Sequence, residues 1–460
     1  NYSYKIIKDS KWESFLDQYK ITVDGEEKKV FHIDDQKYVT LEEGMVMDAE
    51  QIAAFAKAAL KYAKDNGIGN AGQKKYTAVA DDPSASTKIE FTDLELGYYL
   101  VDSDMGTVCS LDTTKPNVDI EEKNSVPSIE KKVLEGETWG DFADADRGEK
   151  VSFKVTITAG QGAMNYTLHD RMMEGLLFDS ESVEVTIIRN GNTDNKEVVV
   201  SNDKYALHTT FEEGHENDYG CTFDVEFKSD FCDELAVGDK IVVSYKATVK
   251  QEALTEAKGK NYAKLTYGEE SKFTSEEDEV TVRTWEMPIY KYGVDESDKE
   301  IPLSGAKFSL SRDEKGTDLI KFVYVSSSSG NNSPVYRVPM ESETDGRQDA
   351  IVTGATGRFT LRGLDSGTYY LIEQEAPDGY NKLPGSIKIT IDKEGNISLE
   401  GNTVVNSKLE DKTVKVLNQS GALLPSTGGI GTTIFYVVGG ILVVGAAVLL
   451  VTRKRMSAEK

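Results

Sequence analysis

Cysteine is nearly missing. Three residues in 460, Cys109, Cys221 and Cys232, are too few for a disulfide-built scaffold even in an oxidising compartment. Histidine is also scarce, and His32, His169, His208 and His215 show no metal-ligand spacing. Basic residues are outnumbered, 53 Lys and Arg against 79 Asp and Glu, for a formal net charge of -26. That balance argues against nucleic acid and against adhesion to anionic lipid, and it suits a soluble, self-repelling extracellular surface. Without a Gly-rich phosphate loop or a Gly-x-Ser-x-Gly elbow, turnover catalysis has no support, and no metal or cofactor is expected. No basic segment followed by an apolar one opens the chain. Residues 1–7 read as a strand instead, so residue 1 is expected to be a processed or trimmed start.

What is present is length and alternation. A chain of 460 residues exceeds a single core, and about three domains are expected before a short tail. Residues 1–126 form a first unit with one clear helix over 48–65. Ile52, Phe55, Ala59, Tyr62 and Ala63 share one of its faces, Asp48 is the candidate N-cap, and Gly67 lies just past its end. Pro127 marks a boundary. Residues 127–284 contain short alternating segments at 151–157, 183–188, 222–227, 241–249 and 262–267, separated by turn residues, the pattern of a β-sandwich. Residues 285–420 repeat that pattern at 306–310, 322–325, 359–361, 369–372 and 387–391, with a polar loop at 326–333. The expected fold is mainly β: Ig-like sandwiches in a row, one helix in the first unit, and an apolar helix within the tail, residues 421–460.

Strand alternation gives two of these units the same reactive set. Ile129, Lys131 and Val133 share a face, as do Tyr166, Leu168 and Asp170, and as do Asn261, Ala263 and Leu265. In the next unit Ile289 and Lys291 face inward together, with Tyr369, Leu371 and Glu373 on a late strand and Val414, Val416 and Asn418 on the last. Burial lowers the pKa of a lysine and raises that of a carboxylic acid, so the pair can rest as a neutral amine beside a protonated acid. The amine can then attack the asparagine side-chain carbonyl while the acid polarises it and shuttles the proton as ammonia leaves. An intramolecular isopeptide bond results, formed once per molecule. By analogy with a disulfide closing a long loop, it stabilises by about 3 to 5 kcal/mol.

The one long apolar run, 429–451, has no charge within it and is flanked by Arg453, Lys454 and Arg455. A single helix needs roughly 20 such residues to cross a bilayer, and the basic flank sets the last residues in the cytoplasm. Immediately before it stand Leu424, Pro425, Ser426, Thr427 and Gly428. This pentapeptide resembles the LPXTG sorting signal of Gram-positive surface proteins, which a sortase cysteine transpeptidase cuts between Thr and Gly. The resemblance makes Thr427 an acyl donor and the apolar run a transient single-pass membrane anchor.

Residues 369–380, Tyr-Tyr-Leu-Ile-Glu-Gln-Glu-Ala-Pro-Asp-Gly-Tyr, resemble the E-box of sortase-assembled pilins, with Gln374 where Thr is usual. Residues 357–380 are similar to part of a Cna B-type domain, and the Asn-Tyr-Thr-Leu-His-Asp segment ending at Asp170 fits the same family. The resemblance implies a major, or backbone, pilin. Lys291 would join Asn418 with Glu373 catalytic, and Lys131 would join Asn261 with Asp170 catalytic, Lys132 being the alternative nucleophile. Backbone pilins carry a YPKN-type motif whose Lys accepts the Thr acyl group of the next subunit. Lys123 and Asn124 match its end, while Glu121 and Glu122 replace the Tyr and Pro, and Lys115 and Lys131 are the other candidates nearby. The implied partners are pilin-specific and housekeeping sortases, further copies of the chain, ancillary pilins, peptidoglycan and host surface ligands, at the cell surface. A wall-anchored adhesin with Cna-type stalk domains and no pilin lysine is the alternative.

Cys221 and Cys232 flank a short strand pair and are candidates for a disulfide. Cys109, beside Val108 and Leu111, reads as a buried apolar residue. Asp144-Ala145-Asp146-Arg147-Gly148 faintly resembles a calcium loop, but its glycine is one position early and the distal Glu spacing fails, so it reads as a turn.

Overall fold

Two separate apolar cores organise most of the chain in the computed structural model. Residues 4–5, 10–23, 25–68, 73–77, 88–92, 98–101, 109–112, 126–160, 164–191, 194–211, 219–268, 273–325, 333–400, 407–421 and 430–456 are described. Lys115, Lys123, Asn124 and the pentapeptide 424–428 lie outside them.

The first core is built by period-two burial. Strands Lys150–Thr158 and Lys260–Tyr267 bury every second residue, the signature of a sheet with one dry face. A six-stranded sheet runs in the order Thr138–Gly140, Ser128–Glu135, Lys150–Thr158, Lys240–Val249, Leu176–Ile188, Val198–Val199. The opposing sheet runs Phe142–Asp144, Asp278–Arg283, Lys260–Tyr267, Thr167–Met172, Phe223–Phe227, Tyr205–His208. Rings close the space between them: Phe178 stacks on Phe223 at 4.2 Å, and Tyr245 meets Phe153 at 5.4 Å and Phe223 at 4.9 Å. Each such side chain contributes roughly 1.5 to 3 kcal/mol on burial, which offsets the polar groups buried among them.

In the second core the strand Trp285–Val294 occupies a central place. It pairs antiparallel with Arg358–Leu364 and parallel with the last strand of the unit, Thr413–Leu417, with Lys291 opposite Val416. The facing sheet runs Ile351–Val352, Lys307–Ser311, Gly367–Glu375, Ile387–Ile391, Ile397–Glu400. Gly357 is required where it stands. Its φ is +68°, and a Cβ there would lie 2.3 Å from the Lys291 carbonyl oxygen.

The cores meet at the segment read as a turn. Gly148 has φ +91° and the turn forms, but its side chains face the other core. Asp144 accepts from Trp285 Nε1 at 2.6 Å and from the Ser366 amide at 3.0 Å, and Asp146 accepts from the Asp365 amide at 2.8 Å and pairs with Arg312. Arg147 donates to Val338 O at 2.7 Å and Glu343 Oε2 at 2.8 Å.

Among the described residues of the first unit there are two helices rather than one, Trp12–Gln18 and Ala49–Asp65. The second starts at the expected cap: Asp48 accepts from the Gln51 amide, and the Gln51 side chain accepts from the Asp48 amide. The expected face is kept at Ala59, which is buried together with Ala56 one turn before it, while Ile52 in the first turn is 43% exposed. Trp12, Phe15, Tyr19, Phe55 and Tyr62 form a continuous ring cluster between the two helices.

The helix Ile430–Met456 occupies the place of the expected membrane span, with apolar side chains exposed from Val437 to Val451. Among the described residues no helix is long and apolar enough to cross a membrane. Gly429 and the side chains of 430–436 lie outside those residues.

Candidate functional site

Lys291 projects from the central strand into the second core and is fully buried, as are Glu373 and Asn418 to within 2%. Glu373 comes from the strand Gly367–Glu375, whose burial alternates through Tyr369, Leu371 and Glu373. Asn418 follows the last strand, and its amide donates to Tyr292 O at 3.0 Å. Lys291 Nζ donates to Asn418 Oδ1 and lies 3.0 Å from Glu373 Oε1. Asn418 Nδ2 donates to the same Glu373 oxygen at 3.0 Å. The other oxygen, Oε2, accepts from the Leu383 amide at 2.7 Å, which fixes the carboxyl plane. One oxygen therefore touches both the candidate nucleophile and the candidate leaving nitrogen, the place from which a proton can pass from amine to ammonia. Burial lowers the Lys291 ammonium to about 8 against the pull of Glu373, so a usable fraction of neutral amine exists near neutral pH.

In the first core Lys131, Asp170 and Asn261 are each wholly inaccessible. Lys131 Nζ donates to Asp170 Oδ2 and, at 2.6 Å, to the Tyr245 hydroxyl. That hydroxyl donates to Asp170 Oδ2 and accepts from Asn261 Nδ2 at 3.1 Å. Burial pushes the Lys131 ammonium down and the Asp170 carboxyl up, each shift opposed by the partner's charge. A buried ion pair costs several kcal/mol per ion in lost hydration, which favours the neutral amine and the protonated acid. Asp170 Oδ1 and Asn261 Oδ1 are buried and accept no hydrogen bond among the described residues. A proton on Asp170 Oδ1 turns one of these orphan acceptors into a donor. Lys132 points the other way, paired with Asp141 at 2.7 Å and Glu130 at 3.3 Å, and takes no part in this cluster.

Tyr245 was not among the residues singled out from sequence. It stands in the inward series Ile241, Val243, Tyr245, Ala247, Val249, where its hydroxyl is the one polar tip, and that tip was the available signal.

The candidate link between Cys221 and Cys232 is not formed. Cys221 Sγ lies 3.7 Å from His169 Nδ1, on the outside of its sheet. Cys232 sits in the short helix Ser229–Asp233, buried in the first core with Sγ 3.9 Å from Phe227 O. The two thiols thus occupy different layers. Cys109 belongs to the strand Cys109–Asp112, and its side chain lies outside the description.

Comparisons with known proteins agree with the end of the chain that carries the Lys291 cluster. Residues 289–404 match the SpaA prealbumin-like fold domain, and residues 417–457 match the LPXTG cell wall anchor motif. No curated protein sequence matches the chain. Among solved structures it is similar to the pilus 2b backbone protein of group B streptococcus, at 22% identity over 64% of this chain and 99% of that one, TM-score 0.42. It is also similar to BcpA, the major pilin subunit of Bacillus cereus (18%, 75% and 81%, TM-score 0.41), and to the RrgB pilus protein of Streptococcus pneumoniae (13%, 76% and 87%, TM-score 0.43).

Proposed function

We propose that this chain is the backbone subunit of a covalent pilus on a Gram-positive surface, held together within each subunit by Lys–Asn isopeptide bonds. The observation that carries this reading is the convergence of Lys291, Glu373 and Asn418 inside a SpaA-type domain that a cell wall anchor motif directly follows. Lys291 Nζ attacks the Asn418 side-chain carbonyl carbon, Glu373 moves the amine proton to the departing nitrogen, and one ammonia leaves. Lys131 and Asn261 react in the same way in the middle domain, with Asp170 as the acid. Each reaction occurs once and regenerates no catalyst, so the chain is a structural protein that processes itself.

Between subunits, a sortase cleaves after Thr427 and transfers its acyl group to Lys123 of the next copy. The apolar run with its basic flank retains the precursor until that step and is then discarded. Sortase and the wall peptide that finally receives the polymer are the partners this chemistry demands. The test is a denaturing gel of surface extracts from cells carrying the chain. Ladders of high-mass polymer are expected, collapsing to monomer in Lys123→Ala and persisting in Lys115→Ala. Ladders unchanged in Lys123→Ala would place the acceptor elsewhere, and a single wall-linked band in the unaltered protein would make it an unpolymerised adhesin.

A further inference from the structure

His169, Cys221 and Asp224 play no part in the self-linking chemistry, yet their donor atoms converge to within 4.8 Å of one another. Strand alternation puts them together. Leu168 and Asp170 point into the first core, so His169 points out, and its antiparallel neighbour in register is Asp224, itself between the buried Phe223 and Val225. Cys221 precedes Asp224 by a two-residue spacer, as ligand pairs in turn-borne metal sites do. His169 Nδ1 lies 3.0 Å from Asp224 Oδ1 and 3.7 Å from Cys221 Sγ. Tetrahedral bonds of about 2.0 to 2.3 Å would separate such donors by roughly 3.3 to 3.6 Å, which lies between the two distances from His169 Nδ1.

Two observations favour a ligand over a plain polar cluster. Asp224 Oδ1 is buried, and the polar groups beside it are the His169 ring nitrogen and the Cys221 thiol themselves, so a cation at their centre would take up its charge. The far ring nitrogen, His169 Nε2, is held by Thr266 Oγ1 at 2.9 Å, the outer contact that typically orients a metal-bound imidazole and leaves the other nitrogen to ligate. A Cys–His–Asp catalytic relay does not fit, because thiol and carboxylate address the same nitrogen, whereas a relay needs them on opposite nitrogens. The thiol is also pushed up to about 12 by burial and by Asp224, far from a free thiolate nucleophile. The neighbouring Lys264 ammonium is engaged over the Tyr219 ring at 3.9 Å.

We propose that His169, Cys221 and Asp224 bind one zinc ion on the outer face of the sheet that carries Asp170, with a fourth position open to water. Nitrogen, thiolate and carboxylate together suit a borderline-soft divalent ion and exclude calcium and magnesium. On binding, the Cys221 S–H bond is replaced by an S–Zn bond and one proton passes to solvent. The ion would then pin the Asp170 strand to the segment 221–227 from outside.

The test is equilibrium dialysis of the full chain against zinc chloride, with cobalt(II) as a spectroscopic stand-in. One zinc per chain is expected, and the cobalt form should show a thiolate-to-metal charge-transfer band with tetrahedral visible bands. Cys221→Ser and His169→Gln should each abolish stoichiometric uptake while far-ultraviolet circular dichroism stays unchanged. Thr266→Val should weaken binding by about 10- to 100-fold. No stoichiometric uptake by the unaltered chain, a cobalt adduct without the charge-transfer band, or uptake indifferent to Cys221→Ser would each overturn the proposal. The cobalt spectrum needs no variant, so the result stands even if a substitution prevents folding.

Discussion

The Tyr245 hydroxyl is bonded to all three candidate reactants of the first core, donating to the acid and accepting from both the amine and the amide. Tyr245→Phe keeps the ring stack on Phe153 and removes that bridge, so the middle bond is expected to form slowly or not at all while the Lys291 bond is unaffected. Intact mass reads this directly: the unaltered ectodomain should weigh two ammonia less than its sequence, and Tyr245→Phe, Asp170→Ala and Glu373→Ala should each regain one. A Tyr245→Phe chain that still falls two ammonia short of its own sequence mass would show that the hydroxyl is dispensable, and an unaltered chain at full sequence mass would dispose of both bonds. The Lys291 bond should also form faster as pH rises. With the ammonium lowered to about 8, the neutral amine grows roughly tenfold per pH unit below that value and levels off above it. Stopped samples of refolding protein, weighed over time at several pH values, would reveal a flat profile if another group limits the rate. Lys131, Asp170 and Asn261 were readable because a charged or amide side chain interrupts an otherwise apolar face at period two. Tyr245 was not, since a tyrosine among Ile241, Val243 and Val249 looks like ordinary core filling. His169, Cys221 and Asp224 were hidden for another reason: the partners of the histidine lie on a different strand, and local spacing cannot show that.

At the scale of elements, the helix Ala49–Asp65 was legible down to its cap because capping is a local rule with a local signature, Asp48 and Gln51 three apart. Asp48→Ala should lower the stability of the first unit by about 1 kcal/mol, seen as an earlier midpoint in a urea titration followed by circular dichroism; no shift would mean that the helix is held by packing alone. The helix Trp12–Gln18 escaped notice. It has seven residues, no side-chain cap and no buried residue of its own, so nothing local announces it, and the rings of Phe55 and Tyr62 on the longer helix are what it packs against. The same distinction explains the face of the longer helix. Periodicity admitted Ile52 to the apolar stripe, but in the first turn it stays exposed, while Ala56, one turn further along the same stripe, is buried.

For the whole molecule, the junction between the cores is ionic and pulls in two directions with pH. Arg337 and Arg147 hold the Glu343 carboxyl far below its usual range, so its contribution is present above the ordinary glutamate pKa and lost as pH falls through the low folded value. Burial beside Asp144, Asp146 and Glu149 pushes Asp365 up to about 8. The folded chain keeps that proton after the unfolded chain has released it near 4, so this contribution is complete below the unfolded value and declines as pH rises towards 8. Asp365→Asn should therefore flatten the loss of thermal stability with rising pH between about pH 4 and 8 in calorimetry; an identical slope in the variant would assign that loss to other groups. The junction was invisible in sequence because Asp144-Ala145-Asp146-Arg147-Gly148 satisfies every local rule for a turn, and its partners Trp285, Arg312 and Glu343 lie far along the chain. Finally, the strands Trp285–Val294 and Thr413–Leu417 run side by side in the same direction. Tension applied to opposite ends of such a pair shears all its hydrogen bonds together instead of unzipping them in turn. With Lys291 tied to Asn418 the tension would cross from one strand to the other at that tie, and everything between residues 291 and 418 would ride along the loaded fibre without bearing load.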